Sequence, residues 1–194
     1  MRISGGSAKG RKVGFKRAFR QKDESDELRP TSAKVREAIF NILRDQITDA
    51  VVLDLYAGTG AVGIEALSRG AGRVVFVEHN PQRVSIIKDL TERFGFKDRG
   101  VVIKERADRF LKRTEYIFDI IFVDPPYRSE ELATVLPLID ARDVLSDRGV
   151  LIAEHHAKKK LPASIGNLEL KKVYKYGDTS LSVYCSSIKR YSVQ

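Results

Sequence analysis

One cysteine, Cys185, is the whole thiol content of this 194-residue chain. That excludes an intramolecular disulfide and a cysteine-based zinc cluster, and it fits a reducing cytoplasm. The three histidines, His79, His155 and His156, show no metal-ligand spacing, so no metal is expected. No apolar run approaches membrane-spanning length, and the first residues lack the apolar stretch of a secretory signal. A cytoplasmic chain without a membrane partner is the expectation. Acid is missing locally: residues 1–22 carry eight basic side chains and no acidic one.

The net charge of +9 belongs to that arm, because the rest of the chain holds 27 basic and 26 acidic residues. Arg2, Lys9, Arg11, Lys12, Lys16 and Arg17, with Phe15 and Phe19 among them, form a basic and aromatic stretch suited to a phosphate backbone. Glycines among the charges suggest a small hairpin or extended arm rather than a helix. An acidic connector, Asp23 to Glu27, follows. The arm and connector are assigned to residues 1–28 and a single globular domain to 29–194, with nothing that demands more than a monomer.

Within the domain, short apolar runs alternate with helical patterns. Thr31 or Ser32 can cap a helix that carries Val35, Ile39, Ile42 and Leu43 on one face. Strands are predicted at Val51–Leu55, Val74–Glu78, Val101–Ile103, Asp119–Val123 and Val150–Ala153. Helices are predicted at Ala61–Ser68, after the Asn80-Pro81 start signal, and near Glu130–Ile139. Residues Leu168 to Ser186 read as two extended segments joined around Lys175-Tyr176-Gly177-Asp178, with no room for a crossover helix. This predicts an α/β fold: a mostly parallel sheet covered by helices on both faces, ending in an antiparallel pair.

Ligands of such sheets sit beyond the carboxyl ends of the strands. There the chain places Asp54-Leu55-Tyr56-Ala57-Gly58-Thr59-Gly60-Ala61-Val62-Gly63. The Gly58-x-Gly60-x-x-Gly63 spacing by itself suits a nicotinamide dinucleotide or S-adenosylmethionine equally. Asp54 would repel a pyrophosphate but is compatible with a cofactor carrying a sulfonium and an ammonium. Glu78, ending the second strand, can accept from ribose hydroxyls, with His79 beside it at the pocket edge. Asp108 can accept from an adenine amino group. The alternative for these acids is capping of nearby helices.

The most specific signal is Asp124-Pro125-Pro126-Tyr127, directly after the fourth strand. Two prolines fix the backbone and remove two amide donors. Asp124 and the Pro125 carbonyl then make an acceptor-only cradle, suited to an exocyclic amino group on a nucleic-acid base. Tyr127 offers a stacking face for a base taken out of its helix. The expected activity is therefore S-adenosylmethionine-dependent methylation of such an amino group. His155 and His156 read as a solvated turn, Cys185 as a small core residue, and Tyr176 and Thr179 as candidates to border the target site.

These motifs resemble the amino-methyltransferases, with a seven-stranded sheet whose last strand is reversed. The flanking segments bring the resemblance to the RsmD family. They are Arg2-Ile3-Ser4-Gly5-Gly6, Gly10-Arg11-Lys12, Arg29-Pro30-Thr31, Arg36 to Leu43 and Glu65 to Ala71. The resemblance implies a Rossmann-like class I methyltransferase acting on a guanine N2 amino group in bacterial 16S ribosomal RNA of the small subunit. It implies that Asp124 to Tyr127 hold the guanine, and that Gly58, Gly60, Glu78 and Asp108 hold the cofactor. Thr31, Arg36 and Asn41 match the segment that closes over the cofactor's methionine end. Ser4 stands where the family usually has an aliphatic residue. A DNA or other RNA amino-methyltransferase (adenine N6 or cytosine N4), and a non-catalytic RNA-binding or assembly protein, are the competing readings.

Overall fold

A computed structural model describes residues 2–12, 32–126 and 129–187. The β-branched runs form a single sheet. Its strands are β1 (Val51–Leu55), β2 (Arg73–Glu78), β3 (Gly100–Lys104), β4 (Phe118–Val123), β5 (Leu145–His156), β6 (Ser164–Ile165), β7 (Leu168–Tyr176) and β8 (Thr179–Ser186), in the order β3-β2-β1-β4-β5-β8-β7-β6. The first five are mutually parallel, and β8 runs antiparallel to both β5 and β7. The expected seven-stranded sheet with its reversed last strand is present, extended at one edge by the two-residue β6.

Among the described residues five α-helices cover the sheet: α1 (Ala33–Leu43), α2 (Ala61–Ser68), α3 (Pro81–Arg93), α4 (Ala107–Arg113) and α5 (Glu131–Ala141). On one face Val35 and Ile39 of α1, Val62 and Leu67 of α2, and Ile87 and Leu90 of α3 bury against Val52, Phe76, Phe122 and Ile152. On the other, Phe110 and Leu111 of α4 and Leu132, Val135 and Ile139 of α5 bury against Leu53, Val75, Ile121 and Leu151. Strand residues alternate between these two clusters, as the pleat requires. The Ser32 hydroxyl accepts from the Val35 amide and starts α1; Asn80 accepts from the amides of Gln82 and Arg83 and starts α3, with Pro81 in its first turn. Not foreseen were α4, a 3-10 turn at Arg44–Ile47, β6, and the extension of β5 back to Leu145. No helix among the described residues is long and apolar enough to cross a membrane.

The basic segment from Arg2 to Lys12 is docked on the domain. It closes on itself through an antiparallel bridge between Arg2 and Lys12, with Ile3 and Ala8 buried. It satisfies the carboxyl end of α2: the Ser7 amide donates to the Ser68 carbonyl at 2.7 Å, and the Ser68 hydroxyl donates to the Gly5 carbonyl at 2.6 Å. Beneath it lies the fully buried Glu65. Its carboxylate accepts from the Ser4 hydroxyl, from Arg36 Nε at 2.6 Å and from the Arg69 guanidinium at 2.9 Å. Ser4 is therefore a working hydrogen-bond donor. Burial alone would raise the Glu65 carboxyl, but Ser4, Arg36 and Arg69 together outweigh it and hold it below the usual carboxylate range.

Candidate active site

The sheet order reverses direction between β1 and β4: β2 and β3 lie to one side of β1, and the chain then returns to β4 on the other. A crevice opens at that switch point, beyond the strands' carboxyl ends. The Leu55–Val123 pairing makes β1 and β4 level there, so the loops starting at Tyr56 and Asp124 leave the sheet side by side. The two motifs singled out in the sequence thus meet in one place.

The glycine loop is held from below by β2. The amides of Tyr56 and Ala57 both donate to the Val77 carbonyl, and the Gly58 amide donates to Glu78 Oε2 at 2.8 Å. Glu78 Oε1 accepts the Asn80 amide at 2.8 Å, so this one carboxylate ties the loop to the start of α3. Gly60 caps α2 in the left-handed region, at φ 76°, where a side chain would be strained. Gly63 serves close packing instead: a Cβ there would lie 2.2 Å from the Phe76 ring.

A cavity opens between this loop and the amino ends of α4 and α5. Val77, Ala107 and Pro126 supply apolar wall, and Glu78, Asp108 and Glu131 line it with carboxylates. His79 and Arg106 stand at the same cavity, His79 with most of its side chain in solvent. The Tyr56 hydroxyl is buried beside Glu131, and burial and that carboxylate keep the phenol protonated. For Asp108, burial pushes the carboxyl up, but the Arg106 guanidinium, 3.1 Å away, outweighs it and holds it low. This acid-rich slot disfavours a pyrophosphate. It suits a cationic nucleoside cofactor, with apolar walls for a purine and the Glu78 carboxylate for a ribose diol. The donor set fits S-adenosylmethionine.

Asp54 is buried behind the loop and accepts the Gly63 amide at 2.9 Å, so the capping reading holds for it. Burial raises its carboxyl to about 7, opposed by the Gly63 amide and reinforced by the charge of Glu78. Arg36 and Asn41 are placed elsewhere than the cavity: Arg36 is engaged by Glu65 and by the Arg2 carbonyl at 2.9 Å, and Asn41 is exposed on α1. Thr31, Lys16, Arg17 and Tyr127 lie outside the described residues. Arg106, Ala107 and Glu131 were missed as cavity residues. The helical spacing of Ala107, Phe110 and Leu111 was the available signal for α4.

Asp124 is half-buried at the end of β4, Pro125 is buried and Pro126 is exposed. The Pro126 carbonyl accepts both the amide and the hydroxyl of Ser129, at 2.9 and 2.7 Å. Two readings need correction. His155 is not in a solvated turn: it is buried in β5, with Nε2 2.8 Å from the Ser182 hydroxyl, and burial lowers its pKa. Cys185 is half-buried, packed against the rim of the α1–α3 core cluster rather than within it, near the end of β8 beside the exposed Glu169.

Comparison with known proteins agrees with this architecture. The family model described as Conserved hypothetical protein 95 matches residues 1–185. The Bacillus subtilis protein YlbH is 34% identical over 187 residues, covering 95% of this chain and 98% of the relative. Ribosomal RNA small subunit methyltransferase D of Escherichia coli is 34% identical over 186 residues, covering 95% and 89%. The solved structure of yhhF from Escherichia coli superposes with a TM-score of 0.82 at 30% identity, covering 97% of this chain and 99% of that one. From its glycine loop to its reversed last strand, this chain belongs to the RsmD family and has the class I methyltransferase fold.

Proposed function

We propose that this protein methylates the exocyclic N2 amino group of a guanine in the 16S RNA of the small ribosomal subunit, using S-adenosylmethionine. The observation that carries the chemistry is the placement of Asp124 level with the glycine loop at the switch point, in a loop stripped of two amide donors. The small-subunit target rests on likeness to the Escherichia coli relative, whose name states it.

S-adenosylmethionine supplies an electrophilic methyl group when bound. Glu78 would hold its ribose, Asp108 its adenine amino group, and Val77, Ala107 and Pro126 the faces of the purine. Asp124 and the Pro125 carbonyl accept the two amino protons of the guanine. That orients the nitrogen and turns its lone pair from the ring toward the methyl carbon, so positioning and electrostatics supply most of the rate. Held this way, the guanine nitrogen would be presented to the methyl group that a cofactor bound by Glu78 and Asp108 would supply. The surplus proton then passes through Asp124 to solvent, so Asp124 need not be a strong base.

Tritiated methyl transfer to 16S RNA, assembled small subunits and duplex DNA, followed by nucleoside identification, tests this reading. N2-methylguanosine from the small-subunit substrates is expected. Methylated adenine or cytosine from DNA would replace the reading with its main competitor.

The docked basic segment supports RNA as the polyanion, but from a distance. It sits at the carboxyl ends of α2 and α3, where Arg11 stacks 5.7 Å over Phe94. That is the opposite edge of the sheet from Asp124, roughly 17 Å away along a five-residue strand. The segment anchors RNA remote from the target nucleotide. Neutralising the exposed Lys9 and Lys12 to glutamine is expected to raise KM for RNA without changing kcat. The salt dependence of RNA affinity should flatten by about 0.7–0.9 per lost phosphate contact. An unchanged slope in a salt titration would remove the segment from the RNA interface.

The raised Asp54 carboxyl predicts a pH profile. A cationic cofactor favours ionised Asp54, so the carboxyl is lower in the complex than its free value of about 7. Affinity therefore increases with pH up to about 7 and levels off above it. Calorimetric titration across this range should show the rise, and Asp54→Asn should flatten it.

A further inference from the structure

We infer that the outer strand β7 carries a stacking platform for single-stranded RNA next to the target nucleotide, formed by Tyr174 and Tyr176 with Lys172. This rests on the reading of the protein as an RNA methyltransferase. Tyr174 and Tyr176 pack against the same core cluster as Leu181 and Val183 of β8, so they stand on the α1–α3 face of the sheet. The register pairs Tyr176 with Thr179, Tyr174 with Leu181 and Lys172 with Val183, which puts the three side chains in one row at alternate positions. Leu170 packs instead into the opposite cluster. The difference comes from a register shift between Leu170 and Lys172, which inserts one residue and brings Lys172 round to the tyrosine face. Lys172 then lies 4.8 Å over the Tyr174 ring.

The row leads to the catalytic edge. Phe122 belongs to the α1–α3 cluster and Val123 to the other, so alternation puts Asp124 on the tyrosine face as well. β7 runs in the same direction as β5, and Tyr176 ends it level with His156 at the end of β5. Three strand spacings, roughly 14 Å, separate β4 from β7, a span that a few nucleotides cover. A base withdrawn from its helix leaves unstacked neighbours on either side. Half-buried tyrosine rings offer those neighbours π-faces held rigidly by the core, and the exposed Lys172 on the same face offers charge to the phosphates. Two aromatic rings in a row with a lysine, on the face that carries Asp124, match single-stranded RNA better than a protein partner.

The test uses the full chain and the double variant Tyr174→Leu/Tyr176→Leu, which keeps apolar packing on the core but removes both rings. KM for small-subunit RNA is expected to rise at least tenfold, with the effect absent from kcat and from cofactor affinity, and Tyr176→Phe on its own should behave as wild type. An unchanged KM in the double variant overturns the platform. Photo-cross-linking to a short single-stranded oligouridine needs no methyl transfer. Cross-links at Tyr174 or Tyr176 are expected, and cross-links confined to other residues, or to a ribosomal protein in assembled particles, overturn the proposal. If the wild type methylates no ribosomal RNA, the functional reading fails, while the cross-links still decide whether β7 binds single strands.

Discussion

Replacing Asp124 by alanine is expected to lower kcat for methyl transfer by about 10³-fold while cofactor affinity stays within about twofold. The magnitude is that of removing one preorganised electrostatic partner from a water-poor site. The location supports a selective loss. Asp124 follows β4, whereas the acids of the cavity come from the end of β2, the turn between β3 and α4, and the starts of α4 and α5. Asp124→Asn keeps one acceptor oxygen on the same side chain and should retain more activity than alanine. Single-turnover transfer to small-subunit RNA, with equilibrium cofactor binding measured separately, distinguishes the two effects. Near-normal turnover in the alanine variant would sink the assignment of Asp124 as the group that holds the amino protons.

The largest expected loss of stability is at Glu65, far from the chemistry. Glu65→Ala strips Arg36 of its buried counter-ion, leaving a guanidinium that water scarcely reaches. Breaking a buried pair from one side costs about 3–5 kcal/mol. For a chain of this size that lowers Tm by about 10 °C, because each kcal/mol is worth about 2–4 °C. The same change removes the acceptor for Ser4 and Arg69 and so loosens the docked basic segment. A double variant, Glu65→Leu with Arg36→Met, should recover much of the loss, since no charge is then buried alone. Thermal melts of the three proteins check this, and a single variant melting within a degree or two of wild type would refute it.

Glu65 also shapes the acid limb of stability. Its carboxyl lies lower in the folded protein than in the unfolded chain. The unfolded state therefore binds more protons between those two values, and stability rises with pH across them. The contribution is complete above the ordinary glutamate range and is lost as pH falls through the folded value. Asp54 acts in the opposite sense: its raised carboxyl makes the free protein less stable as pH climbs toward about 7, an effect that a bound cation reverses. Burial is common to both groups, and their partners decide the sign.

Particular residues show how far the linear pattern reaches. Val51–Leu55 and Ala61–Ser68 carry their element in their own side chains, one a β-branched run and the other a helical repeat after a glycine turn, and both bounds agree with the fold. Helix α4 was missed because its seven residues are short and mostly charged, and only its packing on Phe118 and the strands selects it. Arg36 shows what a local motif leaves open. A motif placed it near the cofactor, yet its guanidinium is taken by Glu65, 29 residues later, and nothing local in either segment announces that pairing.

By itself the sequence determined the order of the five parallel strands, the glycine turn and the Asp124-Pro125-Pro126 stretch that follows the fourth strand. These are written in local spacing, backbone restriction and side-chain chemistry, which need no partner from elsewhere in the chain. The tertiary structure alone decided which acids share a cavity, that the basic segment docks at the edge opposite Asp124, and that Tyr174 and Tyr176 share a face with it. Those outcomes depend on strand order, register and a one-residue shift in β7, and each is set by contacts between residues far apart in the chain.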